Sequence, residues 1–413
     1  MSERDTVYVD VWFEMRIAII IERAEVSLGG AERSVLELAS ALSSLGAEVN
    51  ILAAKGQRQT ENLHILCGNK SGKRTCHVTF ARALAKHLLE NHYDVIHSVL
   101  PFDFADVYQP RGGTYAESIL RNAASYQNPL IESYKKLTAF ANLRRTALMR
   151  AERRLCRQPN GPTIIAISQY VAEQFKQHYA VAQERIVVIP NGIRINAKLN
   201  ATKTDRLRWQ ILARLGIEET ENPIIFLFAA NSFRLKGLDA LIRAMHLATR
   251  RQTANAAFVI VAGSGKMRKY YRLAEKLNVH KKIISLGPVK HINHLLSISD
   301  VGVLPTFYDP CSRFILEALA AGKPVITTRF NGATDLFVND RHGKVIDSPE
   351  NISQLADAIS YFTDTNNIEK ASQAIAADNL TEKISVDRVA TELLSVYDCI
   401  SRKKSERQCT QLS

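Results

Sequence analysis

Two carboxylates, Asp309 and Glu317, stand eight positions apart in the run Asp309-Pro310-Cys311-Ser312-Arg313-Phe314-Ile315-Leu316-Glu317. The first falls in a loop predicted to follow a strand and the second inside a helix. A loop folded over the helix start points both acids at one ligand. A carboxylate accepts two hydroxyls at once, which suits a ribose diol or vicinal sugar hydroxyls. Between the acids, the helix start at Ser312, Arg313 and Phe314 offers backbone N–H groups and a positive dipole end to a diphosphate. The bland alternative is a solvated helix acid and a turn-forming aspartate. Glu317, however, is set among Phe314-Ile315-Leu316 and Ala318-Leu319-Ala320-Ala321, where an acid without a partner is costly.

The elements that must position these residues are strands alternating with helices. Arg16 to Ile21 is an aliphatic run ending in Gly29-Gly30, after which apolar residues recur at helical spacing from Val35 to Leu45, and Val49 to Ala53 opens the next strand. Strand, glycine turn, helix and strand imply a parallel sheet with a crossover helix. The alternation continues to Pro190-Asn191-Gly192, pauses over the polar stretch from Arg194 to Asp205, and resumes with strands at Ile224 to Ala230 and Ala257 to Ala262. A chain of 413 residues exceeds one core, so two domains are expected. We place an N-terminal extension at 1–14, with Met15, followed at once by a strand, as the expected true start, and Rossmann-like α/β domains at 15–197 and 206–380. A helix at 381–402 and a disordered basic tail at 403–413 complete the division. Two doubly wound domains of this kind are expected to face one another across a cleft, with ligands outside the carboxyl ends of the strands.

Several motifs in order resemble glycosyltransferase family 4, the retaining GT-B class, over about Met15 to Ile400. The hallmark of that family is two glutamates eight apart before an alanine-rich helix and Gly-x-Pro-Val; Asp309 stands at the first and Glu317 at the second. The resemblance implies that Asp309 serves catalysis beside the donor sugar and that Glu317 binds the ribose. Gly29 and Gly30 match the glycine loop near the donor phosphates. Asn231-Ser232-Phe233-Arg234-Leu235-Lys236-Gly237 matches the loop whose arginine and lysine neutralise the diphosphate, with Lys236 aligned and Arg234 substituting for an arginine replaced by Asn231. Gly263 belongs to a further glycine loop, and Gly287-Pro288-Val289 sits where the family's backbone meets the base. The family's second histidine after Asp94-Val95-Ile96-His97 is replaced by Val99. Asp103 to Glu117 resembles the lipopolysaccharide-core glucosyltransferase I branch. That likeness makes Asp106 a second catalytic candidate and His97, Asp103 and Arg111 candidates for acceptor or sugar contacts. The C-terminal helix is expected to cross back to the N-terminal domain.

The formal charge of +13 calls for an anionic partner: nucleic acid, a membrane face or a phosphorylated small molecule. Residues 111–157 hold ten basic and three acidic residues, a net +7, interleaved with Tyr126, Leu130, Ile131, Tyr134, Leu137 and Leu148. Such amphipathic helices suit an anionic bilayer surface. No apolar run approaches the roughly 20 residues of a membrane span, and the N-terminus lacks a secretory signal. Six scattered cysteines without a Cys-x-x-Cys pair suit free thiols in a reducing cytosol. Without an Asp-x-Asp metal motif in a suitable loop, Arg234, Lys236 and backbone amides are expected to carry the leaving-group charge, so no metal or other cofactor is expected. The resulting expectation is a retaining hexosyltransferase moving sugar from a nucleotide donor, UDP-glucose first, to a glycolipid or lipopolysaccharide-core acceptor. It is expected to be cytoplasmic and peripheral to the cytosolic face of the inner membrane. The alternatives are a catalytically inactive nucleotide-sugar-binding relative and a basic nucleic-acid-binding protein. The latter lacks any helix-turn-helix, RNP or zinc pattern.

Overall fold

A computed structural model describes residues 15–25, 30–56, 60–68, 75–195, 201–217, 223–253 and 257–412. The proposed N-terminal extension and Gly29 lie outside the described residues. By contacts the chain forms two units. The first comprises Met1–Ile119, Lys136–Arg194 and Ser385–Ser413, and the second Leu120–Lys135 and Ile195–Ile384.

The first unit opens with β1 (Arg16–Arg23), α1 (Gly30–Ser44), β2 (Glu48–Lys55), β3 (Leu63–Ile65), α2 (His77–Glu90), β4 (Val95–Ser98) and β5 (Val107–Tyr108). Along the chain helices α3 (Tyr115–Ala124), α4 (Pro129–Thr138) and α5 (Leu143–Arg157) follow, with Leu120–Lys135 of α3 and α4 belonging to the second unit, then β6 (Thr163–Ala166), α6 (Gln169–Tyr179) and β7 (Ile186–Val188). The strands form one parallel sheet in the order β3-β2-β1-β4-β5-β6-β7. Helices cover both faces of such a sheet, so a central strand such as Ile17 to Ile21 is apolar throughout instead of alternating.

The second unit holds α7 (Ala201–Leu215), β8 (Ile224–Ala229), α8 (Leu238–Arg250), β9 (Ala257–Ala262), α9 (Arg268–Lys276), β10 (Ile283–Gly287) and α10 (Ile292–Ile298). It continues through β11 (Val301–Leu304), α11 (Arg313–Ala320), β12 (Val325–Thr328), β13 (Gly343–Ile346), α12 (Ile352–Tyr361), α13 (Thr365–Ala377) and α14 (Leu380–Lys383). Its sheet runs β10-β9-β8-β11-β12-β13, the doubly wound order that reverses between β8 and β11.

The last helix, α15 (Val386–Leu412), belongs to the first unit, as expected of a crossing helix. Val389, Leu393, Leu394 and Tyr397 enter the core formed by Val35, Leu38 and Leu42 of α1. The Val386 N–H donates to the Ile193 carbonyl at 2.9 Å, and a side chain at Gly192 would strike the Ser385 carbonyl at 2.6 Å. The disordered tail expected from Lys403 is not found. The helix runs on to Leu412, and the Lys404 ammonium reaches the Asp94 carbonyl at 2.9 Å. A second difference concerns Leu120–Lys135, which the sequence placed with the N-terminal domain. It packs within the second unit, where Arg121 stacks 3.8 Å from the Phe330 ring centroid.

Candidate active site

The loops that follow β8, β11 and β12 are fastened to one another at the carboxyl end of the second sheet. Gly237 sits at φ 79°, and a Cβ there would meet the Pro305 carbonyl at 1.9 Å, so only glycine lets the 231–237 loop lie against the chain leaving β11. Phe307 then donates its N–H to the Leu235 carbonyl at 2.9 Å. That contact brings Lys236 beside Asp309. Its ammonium donates to Asp309 Oδ2 at 2.6 Å and to the Tyr308 carbonyl at 2.8 Å.

Asp309 is held from the other side by the turn after β12. Its N–H donates to the Phe330 carbonyl and its carbonyl accepts from Gly332, both at 2.9 Å. Asn331 organises this turn and was not singled out as a residue of the site from sequence. Fully buried, it accepts from the Ser312 and Ala333 amides at 3.0 and 3.1 Å and donates to Thr327 Oγ1 at 2.9 Å. The only signal was its place in the Asn331-Gly332 turn.

Helix α11 starts at this junction. Ser312 caps it through the Ile315 amide, and Arg313 pairs along one face with Glu317, Nε to Oε1 2.9 Å. Arg313 is 13% and Glu317 10% exposed, so the pair answers the charge that the apolar helix would otherwise leave alone. Phe314 is buried. The structure therefore ties Lys236 to Asp309, and Asp309 through the Asn331 turn to Ser312 at the start of α11, on which Arg313, Phe314 and Glu317 follow; the helix dipole favours an anion at that start.

Arg234 lies elsewhere on the same loop. Its guanidinium donates to the Asn122 carbonyl at 2.9 Å and to Ser125 Oγ, and stacks 3.8 Å from the Tyr126 ring centroid. Gly263, at φ 135°, is needed because a Cβ would overlap the Ala230 carbonyl at 1.8 Å; its N–H holds the Gly287 carbonyl at 2.8 Å. Val289 follows in an exposed loop.

Residues predicted for the first unit are dispersed. Gly30 is exposed at the start of α1. His97 is fully buried, hydrogen-bonded through Nδ1 to the Tyr397 hydroxyl, and burial pushes its pKa down to about 3. That makes it a neutral packing residue and corrects its expected sugar contact. Asp106 is corrected as well. It precedes β5, at the amino end of the strand, and its carboxylate accepts from Lys404 at 2.6 Å and from the Ile96 amide at 2.8 Å. Ligands of parallel sheets sit at the opposite ends. Asp103 is exposed, with Arg154 at 3.9 Å. Arg111, on the loop after β5, donates to Asn191 Oδ1 at 2.9 Å, the oxygen that also accepts from Ser34.

Glu152 was overlooked because it was counted among the charges of a basic stretch. Its signal was its place on the buried stripe of α5 with Leu148, Leu155 and Cys156. It accepts from the Tyr108 and Tyr179 hydroxyls at 2.8 and 2.6 Å and from the Tyr115 amide at 2.9 Å. Burial raises its pKa from 4.5 to about 7 against the lowering effect of those donors. The folded chain thus keeps a proton that the unfolded chain releases, and stability falls as pH rises from 4.5 to 7. Denaturant unfolding of the wild type is expected to lose about 3 kcal/mol across that window relative to Glu152→Gln. Parallel stability curves would rule out the assignment.

Two doubly wound parallel units, one bearing an acid pair around a helix N-terminus with an adjoining lysine, define a glycosyltransferase of GT-B fold. A family model described as Glycosyltransferase Family 4 matches residues 28–197 and one described as Glycosyl transferases group 1 matches residues 211–378. The chain belongs to this family of glycosyltransferases, the family 4 type. It is 28% identical over 238 residues to an uncharacterized glycosyltransferase of Methanocaldococcus jannaschii, covering 57% of this chain and 59% of that protein. It is 24% identical over 334 residues to the lipopolysaccharide glucosyltransferase WaaG of Escherichia coli, covering 80% and 85%. The crystal structure of WaaG superposes with a TM-score of 0.71 at 21% identity over 93% of this chain and 99% of that one. HepE of Anabaena in complex with UDP-glucose superposes at 0.67 and 18% identity over 93% and 100%.

Proposed function

We propose that this glycosyltransferase moves a hexose, with retention, from a nucleotide sugar to a glycolipid or lipopolysaccharide-core acceptor at the cytosolic face of the inner membrane. UDP-glucose is the first choice of donor. The observation that supports the reading is the Lys236–Asp309 pair, fastened through Asn331 to the start of α11, the helix that bears Glu317. Glu317 would take the ribose diol, Lys236 the diphosphate and Asp309 the sugar, with the positive helix end adding to the charge on the leaving group. The names of WaaG and of the HepE complex support the acceptor class and the donor. Arg234 would join the phosphates after leaving Asn122 and Ser125.

The protein's own side chains and amides would neutralise the leaving diphosphate without a metal. A panel of nucleotide sugars incubated with the protein in EDTA is expected to show hydrolysis or transfer with UDP-glucose first. Rescue of a dead EDTA reaction by Mn²⁺ would refute the metal-free reading. Donor binding without any turnover would favour an inactive relative.

Helix α4 supports the membrane proposal. It buries none of its residues and exposes Leu130, Tyr134 and Leu137 next to Lys135 and Lys136. Leu148, by contrast, packs in the core of the first unit. No helix among the described residues is long and apolar enough to cross a membrane. Vesicles rich in phosphatidylglycerol should sediment the protein, and Leu130→Ser with Leu137→Ser should weaken this about tenfold or more through lost apolar burial. Equal binding to phosphatidylcholine vesicles would count against it.

A further inference from the structure

The first unit contains a cavity of about 570 Å³ that none of the described residues assigned to the donor lines. It opens where β4 and β5 end at their carboxyl edges, where parallel sheets bind ligands, and its size suits a mono- or disaccharide. Tyr108, Thr114, Tyr115, Asn142, Arg144 and Arg145 line it.

These residues are held in place before any ligand arrives. Glu152 fixes both the Tyr108 hydroxyl and the Tyr115 amide. Gln174 Oε1 accepts from the Thr114 amide at 3.1 Å and its hydroxyl at 3.2 Å. Asn142 caps α5 by accepting from the Arg145 amide at 3.0 Å. The 15-residue α5 and the 10-residue α3 both begin at the cavity, so two positive helix ends converge there.

The charge is positive and incompletely answered. Arg144 Nη2 donates to Glu22 Oε1 at 2.6 Å, while its Nε is shielded from solvent and has no hydrogen-bond partner among the described residues. Arg145 adds a second guanidinium from an exposed position. Two guanidinium groups stand against the Glu22 carboxylate and against Glu152, whose burial raises its pKa to about 7, and leave a net positive pocket. A shielded N–H donor on a residue lining a polar cavity is satisfied when an oxygen anion comes within its reach.

We infer that this cavity binds an anionic substituent, a phosphoryl or carboxylate group, on the glycan acceptor. The inference rests on the glycosyltransferase reading above and assigns the acceptor's charge. Arg144 and Arg145 would hold the anion, and Tyr108, Thr114 and Tyr115 would shape the pocket around the sugar ring that bears it.

The test is calorimetric titration of the full chain, with and without saturating UDP, using mannose 6-phosphate, glucuronate and mannose. At least one anionic sugar should bind about tenfold tighter than mannose, from the worth of one charge-assisted hydrogen bond. The pair of anions separates the phosphoryl source from the carboxylate source. UDP should not displace the bound sugar. Arg145→Ala should remove most of the anion preference, and Arg144→Gln should remove it too; UDP titration of each variant reports whether it is folded. Equal binding of all three sugars, displacement by UDP, or an intact preference in Arg145→Ala would each overturn the inference. Failure of UDP to bind the wild type would instead strike the donor reading, and the sugar titrations would still decide the pocket.

Discussion

Glu317→Ala is expected to weaken UDP binding about a hundredfold or more, with the loss seen by calorimetry in binding and not only in turnover. A carboxylate taking both hydroxyls of a ribose forms two charge-assisted hydrogen bonds, each with a net contribution of roughly 1.5–3 kcal/mol. The substitution also leaves Arg313 without the carboxylate that lies 2.9 Å away on a largely buried helix face. Part of the effect will therefore appear as lost stability, about 3 kcal/mol by comparison with other broken buried pairs. Glu317→Gln separates the two consequences, because it keeps the volume and one acceptor oxygen. Its melting temperature should fall less than that of the alanine variant while its UDP affinity still drops. Unchanged UDP affinity in a folded Glu317→Ala protein would end the ribose assignment.

Lys236→Ala is expected to lower kcat by roughly a hundredfold to a thousandfold, the cost typical of removing one preorganised group that stabilises transition-state charge. The ammonium is held by Asp309 Oδ2 and the Tyr308 carbonyl. It is thus placed before a diphosphate arrives. Asp309→Asn gives the complementary result. It should slow sugar transfer while leaving UDP affinity undiminished, since the carboxylate competes with phosphate oxygens for the same ammonium. The double variant should cost less than the sum of the singles, as contacting residues do. A Lys236→Ala enzyme with unaltered kcat would show that the leaving group is stabilised elsewhere.

The parts of this site that could be read in the chain are those whose geometry is local. Asp309 and Glu317 are separated by one loop and about one turn of helix, so spacing alone forecasts their neighbourhood. The doubly wound alternation was equally legible, because buried parallel strands are aliphatic runs and crossover helices carry a 3.6-residue stripe. Asp106 misled for the opposite reason. Its neighbours in sequence suggested a loop with chemistry, yet its partner is Lys404, 298 positions away on a helix extending past the expected end of order. Arg234 shares its loop with Lys236, as the spacing requires, but its contacts with Asn122, Ser125 and Tyr126 come from a segment assigned to the other domain by order along the chain.

Sequence by itself determined the two α/β units through periodicity and the acid pair Asp309 and Glu317 through short spacing, and the resemblance of its ordered motifs pointed to the family. Only the tertiary structure decided that Lys236 pairs with Asp309, that Asn331 fastens the loop and that Glu152 lies buried among three donors. It also decided that Arg144 and Arg145 border a cavity. Those outcomes depend on which distant segments share a buried surface and on which charges lose their water there. Burial is a property of the packed chain and not of any stretch of it.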